Sequence, residues 1–233
     1  MIQIPLFLSQ EYPCSYLEKN QSRSAFVHPS FQMTTQIYEQ LISQGFRRSG
    51  DEVYIPHCQT CSACIPVRIP VSEFTPNRSQ KRCLKKNLNT QAKIKPAILE
   101  QAHYEMYMNY QNSRHHDGSM ANTSPEEYIS FLSSLWCDTV FVEFSIDNEL
   151  AGIAVVDQLD DACSAVYTFF DPKFSDYGLG VYAVLWQIDH CLIKGKEFLY
   201  LGLWIEACRK MNYKTNYQPI ELLIDTEWQT MTH

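Results

Sequence analysis

Residues 139–170 read TVFVEFSI-DNE-LAGIAVVDQL-DDA-CSAVYTFF, three runs rich in β-branched and aromatic residues, parted by short acidic and amide segments. Such runs suit strands, and Asp147-Asn148-Glu149 and Asp160-Asp161 suit tight reversals. The stretch therefore predicts an antiparallel meander. Upstream, Ser124-Pro125-Glu126-Glu127 combines a serine cap, a first-turn proline and a glutamate three residues on, which starts a helix. Tyr128, Phe131, Leu132 and Leu135 give that helix one apolar face. Downstream, a helical pattern runs from about Leu179 to Lys194 and stops at Gly195. A strand FLYLGLWI, a short helical piece around Cys208 to Tyr213 and a strand near Ile220 to Ile224 complete the chain.

Helix, meander, helix, strand, helix, strand is the element order of an acetyltransferase-like (GNAT-like) lobe, expected over residues 96–233. Residues 1–95 read as an N-terminal subdomain, making an α+β protein. There Thr34 caps a helix striped by Ile37, Tyr38, Leu41 and Ile42. GFRRSGDEVYIP (residues 45–56) predicts two strands around Ser49-Gly50-Asp51. Ile65, Val67, Ile69 and Val71 alternate like a strand, and Pro66 and Pro70 predict that it lies at a sheet edge. A basic helix over about Ser79 to Asn87 and a strand KIKPAIL (93–99) follow.

The chain has 233 residues, 45% hydrophobic and 19% charged, the balance of a folded domain rather than a disordered one. No apolar run approaches the ~18 residues of a membrane helix, and MIQIPLFLSQ lacks the basic lead of an export signal. Nine cysteines, an odd count, argue for a reducing compartment, and a cytoplasmic location is expected. Cys83, Cys137, Cys163, Cys191 and Cys208 read as buried thiols.

Charge is distributed unevenly. Between Phe74 and Leu99 stand Arg78, Lys81, Arg82, Lys85, Lys86, Lys93 and Lys95 with no acidic residue. Subtracting those seven positive charges from the net −7 leaves −14 elsewhere. A basic island on an acidic body points to a phosphate-bearing partner, because local potential steers phosphates.

HCQTCSACIPVR (57–68) holds Cys58, Cys61 and Cys64 at three-residue spacing. Each step lets a loop bring two thiolates to one ion, and Cys14 or His57 can supply a fourth ligand. The alternative is a turn whose reduced cysteines pack inward. A structural zinc or iron–sulfur cluster and an empty site stay open on spacing alone.

Several segments carry a resemblance. YIPHCQTCSACIPVRIPVSEFTPNRSQKRCLKKN (54–87), GFRRSG (45–50), PCSYL (13–17), YQNSRHHDGSM (110–120), YTFFDP (167–172), YGLGVYAVLWQI (177–188) and YLGLWIEACRKMNYK (200–214) resemble, in order, the bacterial aspartate/glutamate leucyltransferases, relatives of the eukaryotic arginyltransferases. Gly178 stands where that family commonly has serine, and Leu203 where it often has tyrosine. The resemblance implies transfer of leucine from Leu-tRNA to proteins beginning with Asp or Glu, marking them for N-degron degradation, with no cofactor required for catalysis. Arg-tRNA as donor is the nearest alternative; a coenzyme A acetyltransferase or an RNA-binding metal module are the others. Ser175 weighs against coenzyme A, since acetyltransferases place Arg or Gln at that position.

On this reading Arg78, Lys81, Arg82, Lys85 and Lys86 meet the tRNA. Arg47, Arg48 and Arg68 are equal candidates to hold the substrate's acidic side chain, because arginine grips a carboxylate bidentately. Asp171, with Tyr167 on the same strand, is expected to orient or deprotonate the attacking amine. Gly178 and Gly180 open the helix that holds the donor, Lys210 and Lys214 line the acceptor-end groove, and His115 offers a substrate contact.

Overall fold

The computed structural model describes residues 3–114 and 123–231. Strands β1 (Leu6–Leu8), β2 (Tyr12–Pro13), β3 (Gln21–Ser22) and β4 (Ser24–Val27) precede α1 (Thr35–Ser43), β5 (Arg47–Ser49), β6 (Glu52–Pro56), β7 (Ile65–Pro70) and α2 (Arg78–Lys86). Next come β8 (Gln91–Pro96), α3 (Gln101–Arg114), α4 (Pro125–Leu132), β9 (Asp138–Ile146), β10 (Glu149–Gln158) and β11 (Ala162–Phe170). A 3-10 turn at Pro172–Tyr177 leads into α5 (Leu179–Ile193) and β12 (Phe198–Trp204). A second 3-10 turn (Asn212–Asn216), β13 (Glu221–Ile224) and β14 (Glu227–Thr230) follow. The result is mixed α/β, and none of the described helices is long and apolar enough to cross a membrane.

The meander forms as its sequence predicts. β9, β10 and β11 pair antiparallel, and Asp147 and Asn148 both take positive φ (50° and 64°), as a two-residue reversal twisted with its strands requires. They form the centre of an eight-stranded sheet ordered β14-β13-β7-β12-β11-β10-β9-β8, and a smaller sheet runs β1-β4-β6-β5. Strands β7 and β8 come from the first 96 residues, so the two halves of the chain share the large sheet.

Helices cover both faces of the meander. Val142, Phe144 and Ile146 cluster with Leu179, Tyr182 and Leu185 of α5, while Phe141, Ile153, Val155 and Phe169 pack with Tyr107 of α3 and Tyr128 and Leu132 of α4. Double coverage is why LAGIAVV of β10 is apolar without alternation; Ile153, Val155 and Val156 are each 0% exposed. Burying each such side chain contributes roughly 1.5–3 kcal/mol. Both capping residues expected from sequence are confirmed: Thr34 Oγ1 accepts from Ile37 N–H, and Ser124 with Glu127 forms a full capping box.

Two expectations need correction. The stretch from Ile65 is not a sheet edge: β7 lies between β12 and β13. Its prolines are tolerated because β13 pairs only with Val67 and Arg68, so neither Pro66 nor Pro70 falls in the doubly paired stretch. The short helical piece lies later than read, at Asn212–Asn216. Helix α3 had no counterpart in the sequence reading, although His103, Met106, Tyr107 and Gln111 recur at helical spacing and are its buried residues.

Candidate active site

Strands β11 and β12 are the parallel pair of the sheet, and they pair only where Ala162, Cys163 and Ser164 oppose Phe198, Leu199 and Tyr200. Beyond that point β11 keeps only β10 and β12 keeps only β7. Each strand bends there. The β10–β11 register shifts between Val155 and Val156, and the β12–β7 register shifts between Tyr200 and Gly202. Extra residues of this kind kink a strand, and Gly202 absorbs the second at φ 82°. The carboxyl halves therefore diverge into a wedge, the position where open sheets hold ligands. α5 starts beside it, after Gly178 in the left-handed conformation (φ 64°, ψ 40°).

Helix α2 is fastened to the frame of this wedge. Asn87 Nδ2 donates to the Tyr177 carbonyl at 2.8 Å, and the Cys83 thiol to Gly178 O at 3.6 Å, both at the start of α5. Gln80 Nε2 donates to Asn216 O at 3.0 Å, in the turn after β12. Its Asn77–Gln80 capping box is complete. With the apolar and amide positions used for anchoring, Arg78, Lys81, Arg82, Lys85 and Lys86 all point to solvent. Among the described residues none of them has a carboxylate partner.

On the β12 side, Lys214 is 5% exposed and donates from Nζ to the Leu203 carbonyl. Burial first, and Arg47 second, push its ammonium down to about 7. The half-buried Arg47 guanidinium lies against Gly202.

The cysteines gather at the far end of Leu203. Cys14, Cys58, Cys61 and Cys64 line one cavity of about 270 Å³ together with Tyr16 and Leu203. His57 is exposed and does not line it, so of the two fourth ligands considered only Cys14 joins the triplet. Burial, then the neighbouring thiols of Cys14, Cys58 and Cys61, push the Cys64 thiol up to about 11. Sulfur donors crowded in this way suit a soft metal centre, which would take the thiolate form. Leu17 N–H already donates to Cys14 Sγ at 3.5 Å. Among the described residues the sulfurs do not fall in a set of three within 4.8 Å, so they surround a space rather than one point.

Family comparison accounts for most of the chain. The description "Arginine-tRNA-protein transferase, C terminus" matches residues 102–224, and its N-terminal counterpart matches 12–82. Among curated relatives, an aspartate/glutamate leucyltransferase of Saccharophagus degradans is 46% identical over 98% of this chain and 97% of its own. One of Marinobacter nauticus is 45% identical over 97% and 95%. One of Pseudomonas fluorescens is 44% identical over 98% and 97%. The chain belongs to the arginine-tRNA-protein transferase family. A solved structure, that of L-PGS from Bacillus licheniformis, overlaps 61% of this chain and 47% of its own with a TM-score of 0.45 at 8% identity, too loose to assign anything.

Within this family member, the three arginines proposed for substrate have different fates. Arg48 is buried. It holds Asp157 bidentately at 2.6 and 2.7 Å and also donates to Thr139 Oγ1 and the carbonyls of Gly50, Leu132 and Ser133. Arg68 grips Glu221 at 2.6 Å and lies between the rings of Phe198 and Trp228, 3.6 and 4.3 Å from their centroids. Arg48 has no donor to spare, and the charge of Arg68 is already matched by Glu221. Arg47 alone is unengaged.

Tyr167 faces the α3–α4 side, among Tyr107, Phe131 and Phe169, and accepts from Gln111 Nε2 at 3.0 Å. Burial holds its phenol well above the usual range. Asp171 caps the 3-10 turn: Oδ1 accepts from Lys173 N–H at 3.0 Å, while Oδ2 stands 3.8 Å from Lys173 Nζ. Lys210 is exposed, and Gly178 and Gly180 frame the start of α5. His115 lies outside the described residues. Gly202 escaped the sequence reading, although a glycine inside an apolar strand is a recognisable sign of a bulge or close approach.

Proposed function

We propose that this chain transfers leucine from Leu-tRNA to the N-terminal Asp or Glu of proteins, marking them for N-degron degradation in the reducing cytoplasm. The end-to-end kinship with aspartate/glutamate leucyltransferases carries the reading. The wedge supports it, because an unpaired cationic helix sits where the donor's phosphates would arrive. We read residues 96–233 as a GNAT-like transferase lobe, from the meander, α5 and the diverging parallel pair. Residues 1–95 add α2, Arg47 and the thiols.

The reaction is aminolysis of an ester. The substrate's α-nitrogen attacks the leucyl carbonyl, an amide C–N bond forms, the ester C–O bond breaks, and the terminal ribose hydroxyl leaves with a proton while the nitrogen loses one. A free α-amine has a pKa of about 7.7–8.0, so much of it is nucleophilic at neutral pH. The protein need supply no nucleophile. Holding amine and ester together is worth several kcal/mol, up to ~7–11 in favourable geometry. Gly178 and Gly180 seat the donor at the α5 terminus, Lys210 lies along the acceptor path, and the uncapping oxygen of Asp171 orients the amine.

The test is labelled Leu-tRNA or Arg-tRNA with peptides beginning Asp, Glu or Ala; leucine on Asp and Glu peptides is expected. In the same assay Asp171→Asn keeps the turn's amide acceptor and slows single-turnover transfer by ~10²-fold or more. Wild-type rates would remove Asp171 from the chemistry.

Cys14, Cys58, Cys61 and Cys64 are read as ligands of a structural zinc or iron–sulfur centre that staples the β2–β3 region to the loop before β7. Protein purified without oxygen should contain the metal, and Cys61→Ser should lose it and melt earlier. Metal-free protein with an unaltered melt would end this assignment.

A further inference from the structure

Two cations meet on consecutive residues of β12, and among the described residues neither has a carboxylate partner. A Cβ built on Gly202 would lie 1.4 Å from Arg47 Nη1, 2.3 Å from Cζ and 2.6 Å from Nη2, so the guanidinium rests directly on bare backbone. One residue on, the Leu203 carbonyl takes the Lys214 ammonium. Among the described residues Arg47 has neither an ion pair nor a hydrogen bond. Around the pair stand the phenols of Tyr16, Tyr38 and Tyr213, the sulfurs of Cys64 and Cys208, and Met211 Sδ at 3.9 Å from Lys214 Nζ. The carboxylates that might have neutralised them are committed elsewhere, Asp157 to Arg48 and Glu221 to Arg68.

Like charges held together and partly dehydrated repel, and their proximity costs free energy unless an anion joins them. An anion that joined the pair would relieve that cost. We propose that Arg47 and Lys214 form the pocket for the carboxylate side chain of the substrate's first residue, with Gly202 as the flat seat of the guanidinium. The inference rests on the leucyl-transfer reading and names the acid-recognition site within it.

The chemistry fits both acids. The planar fork of Arg47 can take a carboxylate bidentately, while Lys214 is a compact charge with further rotatable donors. One fixed and one adaptable cation accommodate the extra methylene of Glu over Asp. Asn and Gln have the same shapes without the charge, and in their complexes the two cations would stay uncompensated. Discrimination should therefore follow charge rather than size.

The experiment measures kcat/KM for peptides beginning Asp, Glu, Asn and Gln at saturating Leu-tRNA, together with tRNA-free binding of the Asp and Asn peptides by calorimetry. Arg47→Met and Lys214→Met are each expected to cut the Asp:Asn preference about 10- to 100-fold, the worth of one charged hydrogen bond, chiefly through KM. Arg47→Lys should recover part of it, and Gly202→Ala, which displaces the guanidinium, should reproduce the Arg47→Met defect. Wild-type preference in both Met variants, or an equal loss on all four peptides, would overturn the pocket. Binding separates the two readings. If wild-type protein transfers no leucine yet binds Asp peptides in an Arg47-dependent way, the pocket stands and the transfer reading falls. If it binds Asp and Asn peptides alike, the pocket falls even where transfer succeeds.

Discussion

Arg48→Met is expected to destabilise the fold by about 3–5 kcal/mol, the usual result of stripping one partner from a buried ion pair. At roughly 2–4 °C per kcal/mol for a chain of this size, the melting temperature falls by about 6–20 °C. The reason is what Arg48 leaves behind. Asp157 is 0% exposed and would keep the Thr139 hydroxyl, at 2.7 Å, and the weak thiol of Cys137. The carbonyls of Gly50, Leu132 and Ser133 would lose their guanidinium donor as well. The pair also joins β5 of the small sheet to β10 of the large one, 109 residues apart in sequence. Arg47→Met, one position earlier, removes no ion pair and should leave the melt within about 1 kcal/mol of wild type. Arg48→Met with Asp157→Leu should recover most of the loss, since an apolar pair of similar volume leaves no charge stranded. Thermal or urea melts of the three variants decide the matter: equal melts for Arg47→Met and Arg48→Met would refute the assignment of Arg48 to structure.

The second large effect concerns α2. Replacing Lys81, Arg82 and Lys85 together by Gln is expected to lower kcat/KM for Leu-tRNA by about 10²- to 10³-fold near physiological salt, without unfolding the helix. Lys, Arg and Gln have similar helix propensities, and Asn77, Gln80 and Asn87, which cap and anchor α2, remain. Each lost phosphate contact removes about 0.7–0.9 from the slope of log affinity against log salt. The triple variant should thus lose roughly 2 from that slope. The helix is otherwise oddly built. It has no acidic residue in its first turn, where a carboxylate would complement the dipole, and five cations that repel one another. A helix that accepts both penalties is explained by an anionic partner. A variant with unchanged salt dependence would show that the cations are merely solvated.

What could be read in advance differs from element to element, for physical reasons. The meander was legible because its reversals use short polar residues that tolerate positive φ. The helix at Ser124 was legible because its cap is a local motif. α3 was missed because its buried stripe is built of His, Met, Tyr and Gln rather than Leu and Ile, and the apolar period is faint. β7 was misplaced because proline speaks for an edge, and only the short reach of β13 makes an internal place tolerable. The basic island was found at once, since charge needs no partner to be counted. That it would be pinned to the start of α5 and to the turn after β12 depends on Asn87, Cys83 and Gln80 meeting carbonyls ninety or more residues away.

By itself, then, the sequence determined the strand order of the meander, the capped helices, the cationic segment, the thiol triplet and the family to which the chain belongs. These are properties of residues close in the chain, where spacing and local hydrogen bonding suffice. Only the tertiary structure paired Arg48 with Asp157 and Arg68 with Glu221 while leaving Arg47 unpaired, placed Cys14 rather than His57 beside the other thiols, and set Lys214 against the Leu203 carbonyl. A guanidinium has the same chemistry wherever it stands. Whether it is consumed by Asp157, by Glu221 or left open for a ligand depends on which distant strand folds against it.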